Sequence, residues 1–167
     1  MRRTYGIVYH VLREDIPNLR QNDFTEFEVV LPYTYLKPLK KKWKKKPVEV
    51  TEDRVFLEAF IPYGRIGREL EAGKEITHVQ GRVQAHTEAC KEITVYVASC
   101  LTDVKEVVPW ASIDESVRGE SLPYSLPTDN PKKIMEVVLT FHVSDISVSL
   151  RSGTEKLDCV YAVDSGV

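Results

Sequence analysis

The sequence predicts an all-β protein, an antiparallel β-sandwich or barrel with short helical turns at strand exits. Three observations predict it. Apolar residues recur at every second position along most of the chain, the stretches between them are polar and rich in turn formers, and no segment sustains a helical period.

Tyr5, Ile7, Tyr9 and Val11 mark the first strand. Phe27, Val29 and Leu31 mark the next, followed by Val55, Leu57, Ala59 and Ile61. Residues 76–85 have the pattern of a strand with Val79 and Val83 inward and His78, Gln80, Arg82 and Gln84 outward. Ile93, Val95 and Val97 mark another. The segment 114–133 holds Gly119, Pro123, Pro127, Pro131 and several serines, the composition of a long loop. Val137, Leu139, Phe141 and Val143 alternate most cleanly. Ser144-Asp145 then shifts the parity before Ile146, Val148 and Leu150 resume on the other phase, which a bulge or a tight turn would produce. Leu157, Cys159, Tyr161 and Val163 form the last strand.

At 167 residues the chain suits a single β domain over 1–167, and 43% apolar with 29% charged residues is ordinary for a folded protein. No apolar run approaches the ~18 residues of a membrane span. Met1-Arg2-Arg3-Thr4-Tyr5 is basic, but neither an apolar core segment nor a small-residue cleavage site follows. The expectation is therefore synthesis in the cytoplasm without a signal peptide and without a transmembrane segment. Cys90, Cys100 and Cys159 are too few and too scattered for a disulfide framework. Cys100 and Cys159 fall in strand-like runs, where free cysteine acts as a small hydrophobe, and Cys90 falls in a polar turn. They are expected to be reduced and structural, the alternative being a cross-link between subunits.

Three strands end in an apolar-Pro-aromatic triplet with another apolar residue four past the proline. These are Leu31-Pro32-Tyr33 with Leu36, Ile61-Pro62-Tyr63 with Ile66, and Val108-Pro109-Trp110 with Ile113. Proline donates nothing to a ladder, so it ends a strand or marks an edge. Ile66 is followed by Leu70 and Gly73, and Ile113 by Val117 and Gly119, as in one helical turn capped by glycine. Two explanations stand: an internal repeat with units around 25–73 and 76–119, or Pro-aromatic pairs that merely recur at strand ends. The run Val107–Ile113, after the strand Ile93–Val97, resembles the strand-then-Pro-aromatic corner of SPOCS domains, the β domains of spore-coat morphogenetic proteins. Val55–Ile66 is similar to it as well. The resemblance spans about residues 47–150. It implies a non-enzymatic role in protein assembly, at a spore or cell surface, and carries over no catalytic residue.

Sequence motifs for chemistry are missing. Gly64-Arg65-Ile66-Gly67 lacks the spacing and lysine of a phosphate loop, and Ser152-Gly153 lacks the flanks of a nucleophile elbow. His10, His78, His86 and His142 lie far apart. His78, His86 and Cys90 match no common zinc spacing, so no metal or cofactor is expected. Asp114-Glu115 and Glu14-Asp15 are adjacent acids of the kind that are ordinarily solvated charge. The chain is not expected to be an enzyme.

One cluster stands apart. Residues 37–46 read Lys-Pro-Leu-Lys-Lys-Lys-Trp-Lys-Lys-Lys and hold seven of the 23 basic residues. The remaining sixteen face 25 acidic residues, so the net −2 is a cationic spot on a body of −9. Lys40, Lys41, Lys42, Trp43, Lys44, Lys45 and Lys46 are the candidate partner-binding residues. Copies of such a molecule attract one another, which predicts a homo-oligomer or polymer, or docking on an acidic partner surface. The alternative is nucleic acid, with the lysines on phosphates and Trp43 stacked on an exposed base.

Overall fold

A computed structural model describes residues 1–16, 25–37, 48–83, 92–127, 134–143, 145–152 and 155–164, the last stretch and Thr25, Leu36 and Glu92 through their backbone alone. Its strands are β1 (Thr4–Leu12), β2 (Glu28–Lys37), β3 (Val48–Gly64), β4 (Glu75–Ile76), β5 (Arg82–Val83), β6 (Glu92–Cys100), β7 (Val108–Pro109), β8 (Leu122–Pro127), β9 (Met135–Phe141), β10 (Asp145–Ser152) and β11 (Glu155–Asp164). Short 3-10 turns follow β1 at Arg13–Asp15, precede β2 at Thr25–Phe27 and follow β7 at Trp110–Ser112.

The first sheet has the order β2-β3-β1-β6-β8, with β7 also on β3. The second has the order β11-β10-β9-β4, with β5 also on β9. Every described pairing is antiparallel. Neither sheet closes on itself, so of the two architectures expected the chain adopts the sandwich.

The alternation explains the layers. Ile7, Leu57, Ile61, Val95 and Val97 of the first sheet meet Val137, Leu139, Ile146, Val148 and Leu150 of the second in one buried cluster. Period two puts every second side chain on the inner face, and burying each large aliphatic is worth about 1.5–3 kcal/mol. Even-numbered residues of β1 and β3 face outward, and there a second cluster forms. Val8 and Phe60 pack with Ala98, Cys100, Val104, Trp110 and Ile113, the Phe60 and Trp110 rings 5.3 Å apart. The segment that crosses this outer face thus acts as a third, partial layer.

Tyr63 ties the sheets together. Its hydroxyl donates to the Val137 carbonyl at 2.9 Å, and burial pushes the phenol far above its usual pKa. The hydroxyl also fills the space a side chain at Gly81 would need, 1.9 Å from an ideal Cβ. Tyr63→Phe should lower stability by about 1 kcal/mol. In urea this appears as an earlier midpoint with an unchanged slope, and an unchanged midpoint would contradict the bond.

Several expectations need correction. Residues 76–85 are not one strand. Two-residue strands β4 and β5 flank a turn at Val79-Gln80, and Val79 is 74% exposed while Val83 is buried. His78 turns back in that loop, so its alternation with Gln80 was coincidental. The segment 114–133 is not wholly loop, because β8 lies within it and buries Tyr124 and Leu126. Pro123 and Pro127 share one parity on an edge strand, so a single orientation turns both nitrogens away from β6. Val143 is 80% exposed, since β9 ends at Phe141 and the turn to β10 begins there. Of the Pro-aromatic triplets, Val108-Pro109-Trp110 leaves its strand through a 3-10 turn. Pro32 instead lies within edge strand β2, and Pro62 lies within β3 opposite Gly6, where the register slips.

Candidate functional site

Strand β3 has 17 residues, nearly twice the length of β1. Its second half pairs with β1 from Phe56 to Gly64, and its first half pairs with β2 from Val48 to Leu57. Ahead of Phe56, therefore, β3 has β2 on one side, and no other described strand pairs with that stretch. The result is a two-stranded ribbon running past the end of β1. Both strand types favour it: β2 reads Val-Val-Leu-Pro-Tyr-Thr-Tyr, and β3 opens Val-Glu-Val-Thr.

The register assigns the ribbon two faces. Leu31, Tyr33, Tyr35 and Lys37 share one with Val48, Val50, Glu52, Arg54 and Phe56. On it Tyr33 and Tyr35 stack at 6.0 Å, the Arg54 guanidinium lies 5.7 Å over the Tyr35 ring, and Tyr33 leans on Phe56. Arg54 also bonds Glu52 at 2.7 Å and Glu14 at 3.3 Å. The other face carries Val30 opposite Val55 and Thr34 opposite Thr51, whose hydroxyls are 2.9 Å apart. Val30 is 64% exposed, and Val29, Val48 and Val55 are exposed too. Val29 and Val55 belong to the alternating pattern of the sequence, but among the described residues no second layer covers them. The described strands of the ribbon hold four carboxylates (Glu28, Glu49, Glu52, Asp53) against Lys37 and Arg54.

At the ribbon's base an Arg13–Glu28 ion pair fastens β2 to the turn after β1. A pocket of about 360 Å³ opens beside it, lined by Tyr9, Phe56, Val79 and Val83 with the polar groups of Asp15 and Gln80. Gln80 Nε2 donates to the Asp15 carbonyl at 2.7 Å, joining the two sheets there. Burial, and then the neighbouring Glu14, hold the Asp15 carboxyl above its usual range.

A second concavity, about 520 Å³, lies on the outer face of the first sheet, in the segment that covers Phe60 and Trp110. Its apolar part is Val104, Val108 and Ile113, and its acidic part is Asp103, Glu106 and Asp114, with Lys105 opposing them. Arg65 grips Asp103 through two bonds of 2.9 and 3.0 Å and lowers its pKa. Asp114 accepts from the Ser116 amide and hydroxyl, which lowers its pKa as well. Both carboxylates are thus ionised at neutral pH.

Comparisons with protein-family models, with curated proteins and with solved structures find no match to this chain.

The candidate partner-binding residues Lys40, Lys41, Lys42, Trp43, Lys44, Lys45 and Lys46 lie outside the described residues. Their chain position is still informative: residues 38–47 link Lys37 to Val48, which are cross-strand partners. His86 and Cys90 also lie outside the described residues. The third member of that trio, His78, is half-buried with its ring 6.1 Å from Tyr63. Its Nδ1 accepts the Gln80 amide at 3.0 Å, and burial lowers its pKa. His10 sits 3.8 Å from Glu58, and His142 Nε2 is 2.9 Å from the Ser147 hydroxyl. Cys100 is a buried free thiol, and Cys159 stands opposite Val148 in β11. Among the described residues no three His, Cys, Asp or Glu gather as a metal site, and no helix is long and apolar enough to cross a membrane.

Sequence reasoning did not find the acidic groove. A signal was there, five acids against two bases in residues 103–120, but periodicity gives no means of knowing that this loop folds over Phe60.

Proposed function

We propose that the chain is a non-enzymatic structural subunit that associates with copies of itself. The ribbon carries this reading. A two-stranded element is marginal in water, and this extension of the first sheet leaves four valines exposed, with no other described strand pairing β3 ahead of Phe56. Such an element gains most by being covered. The charge split supports the same partner, since six lysines between residues 40 and 46 meet an acidic remainder on any neighbouring copy. The resemblance of Val107–Ile113 to SPOCS-type domains favours a spore-coat or surface filament or lattice as the setting. Electron micrographs of the purified protein at low salt should show filaments, rings or sheets, and a field of separated small particles would contradict the proposal.

One observation favours a second reading, a nucleic-acid-binding module. Tyr33 and Tyr35 stack on the ribbon face that also bears Lys37, next in sequence to the lysine run. Stacked aromatics beside cations suit single strands. Single-stranded DNA should then bind with an affinity that falls steeply with salt, and a salt-independent affinity removes this reading. The four carboxylates on the ribbon's own strands weigh against laying it along a polyanion.

A further inference from the structure

The groove at residues 102–114 combines an apolar floor with three carboxylates at its rim, of which Asp103 is paired with Arg65 while Glu106 and Asp114 face only Lys105 in the lining. A segment that fits it offers cations on long aliphatic stems and one large apolar side chain. The run Lys-Lys-Lys-Trp-Lys-Lys-Lys has that chemistry: lysine stems lie along Val104, Val108 and Ile113 while their ammonium groups reach the rim, and Trp43 covers apolar surface.

The same molecule cannot supply it. Val108 pairs with Phe60, and the lysine run is tethered at Val48, twelve residues away along one continuous strand. At ~3.3 Å per residue that separation is about 40 Å. Residues 38–47 are anchored at both ends, so they reach at most about 20 Å beyond Lys37 and Val48 even when fully extended.

We infer that this groove receives the lysine-rich segment 37–46 of a second copy, an inference that rests on the self-association proposed above. The lysine-rich segment and the groove are different parts of the chain and each subunit offers one of each, so copies join by reciprocal exchange across a two-fold axis or head to tail into a ring or open filament.

Two variants test it by sedimentation at low salt. The double variant Glu106→Lys with Thr102→Lys spoils the groove and leaves the lysine-rich segment; both positions are exposed and line the groove. Replacing Lys40, Lys41, Lys42, Lys44, Lys45 and Lys46 by Gln spoils the segment and leaves the groove. The groove variant should lose association by about tenfold or more because like charges now face each other, and the glutamine variant by at least roughly a hundredfold because the attraction is gone. Mixed in equal amounts they should form a one-to-one pair that grows no further, the intact segment of the first seated in the intact groove of the second. A groove variant that assembles as the unaltered chain does, or a mixture that does not pair, overturns this inference and leaves self-association standing. An unaltered chain that stays monomeric overturns the proposal beneath it.

Discussion

Gly6→Ala should destabilise the fold by about 3 kcal/mol or more, at the upper end of overpacking penalties and a large share of a domain's ~5–15 kcal/mol. Gly6 sits opposite Pro62, where the β1–β3 register slips by a residue. An ideal Cβ there would lie 2.0 Å from the Ile61 carbonyl oxygen, 2.9 Å from its carbon and 3.1 Å from the Phe60 ring. The first two atoms are backbone of the neighbouring strand and cannot rotate aside. Relief requires β1 and β3 to part, which loosens Ile7 and Ile61 on the inner face and Val8 and Phe60 on the outer face together. Gly67→Ala is the control. Nothing lies within 4 Å of a Cβ at Gly67, but its φ of +78° strains any other residue, so that change should cost only about 1 kcal/mol. Urea midpoints of the two variants decide the matter. A Gly6→Ala protein no less stable than Gly67→Ala would contradict the described pairing of β1 with β3.

The second large effect concerns association. Neutralising the six lysines from Lys40 to Lys46 with glutamine should raise the dissociation constant of self-association by at least roughly a hundredfold, because close interfacial charge pairs couple by ~1.5 kcal/mol or more each. Stability should hardly move, since glutamine removes the charge of lysine and keeps a long polar side chain. Association in the unaltered chain should weaken as salt shortens the Debye length, from about 30 Å at 10 mM to about 3 Å at 1 M. The glutamine variant should be insensitive to the same change. Circular dichroism separates the outcomes: an unchanged β spectrum with lost association supports the account, and retained association removes the lysines from it.

The inner face of the sandwich was legible in the sequence, the ribbon was not. Ile7, Val95, Leu139 and Leu150 alternate and are buried, because two-residue periodicity and burial coincide wherever a strand has a second sheet across from it. Val29 and Val55 alternate equally well and are exposed, because periodicity tells which face a side chain joins and not whether a layer covers that face. Strand length carried the missing information: β3 outruns β1, and only the pairing register reveals by how much. Strand β8 was hidden by Pro123 and Pro127, which break central strands but are tolerated on an edge. Pro62 misled in the opposite direction, since the slip at Gly6 accommodates it within β3. The lysine run stood out by composition alone. The groove did not, because Asp103 and Asp114 meet only through a loop path that Phe60 and Trp110 organise.

Sedimentation velocity of the unaltered chain at about 20 mM and about 1 M salt tests the central claim most directly. Self-association through the lysine run of residues 37–46 predicts species larger than the monomer at low salt and a shift towards the monomer at high salt. A single monomer boundary under both conditions would contradict it.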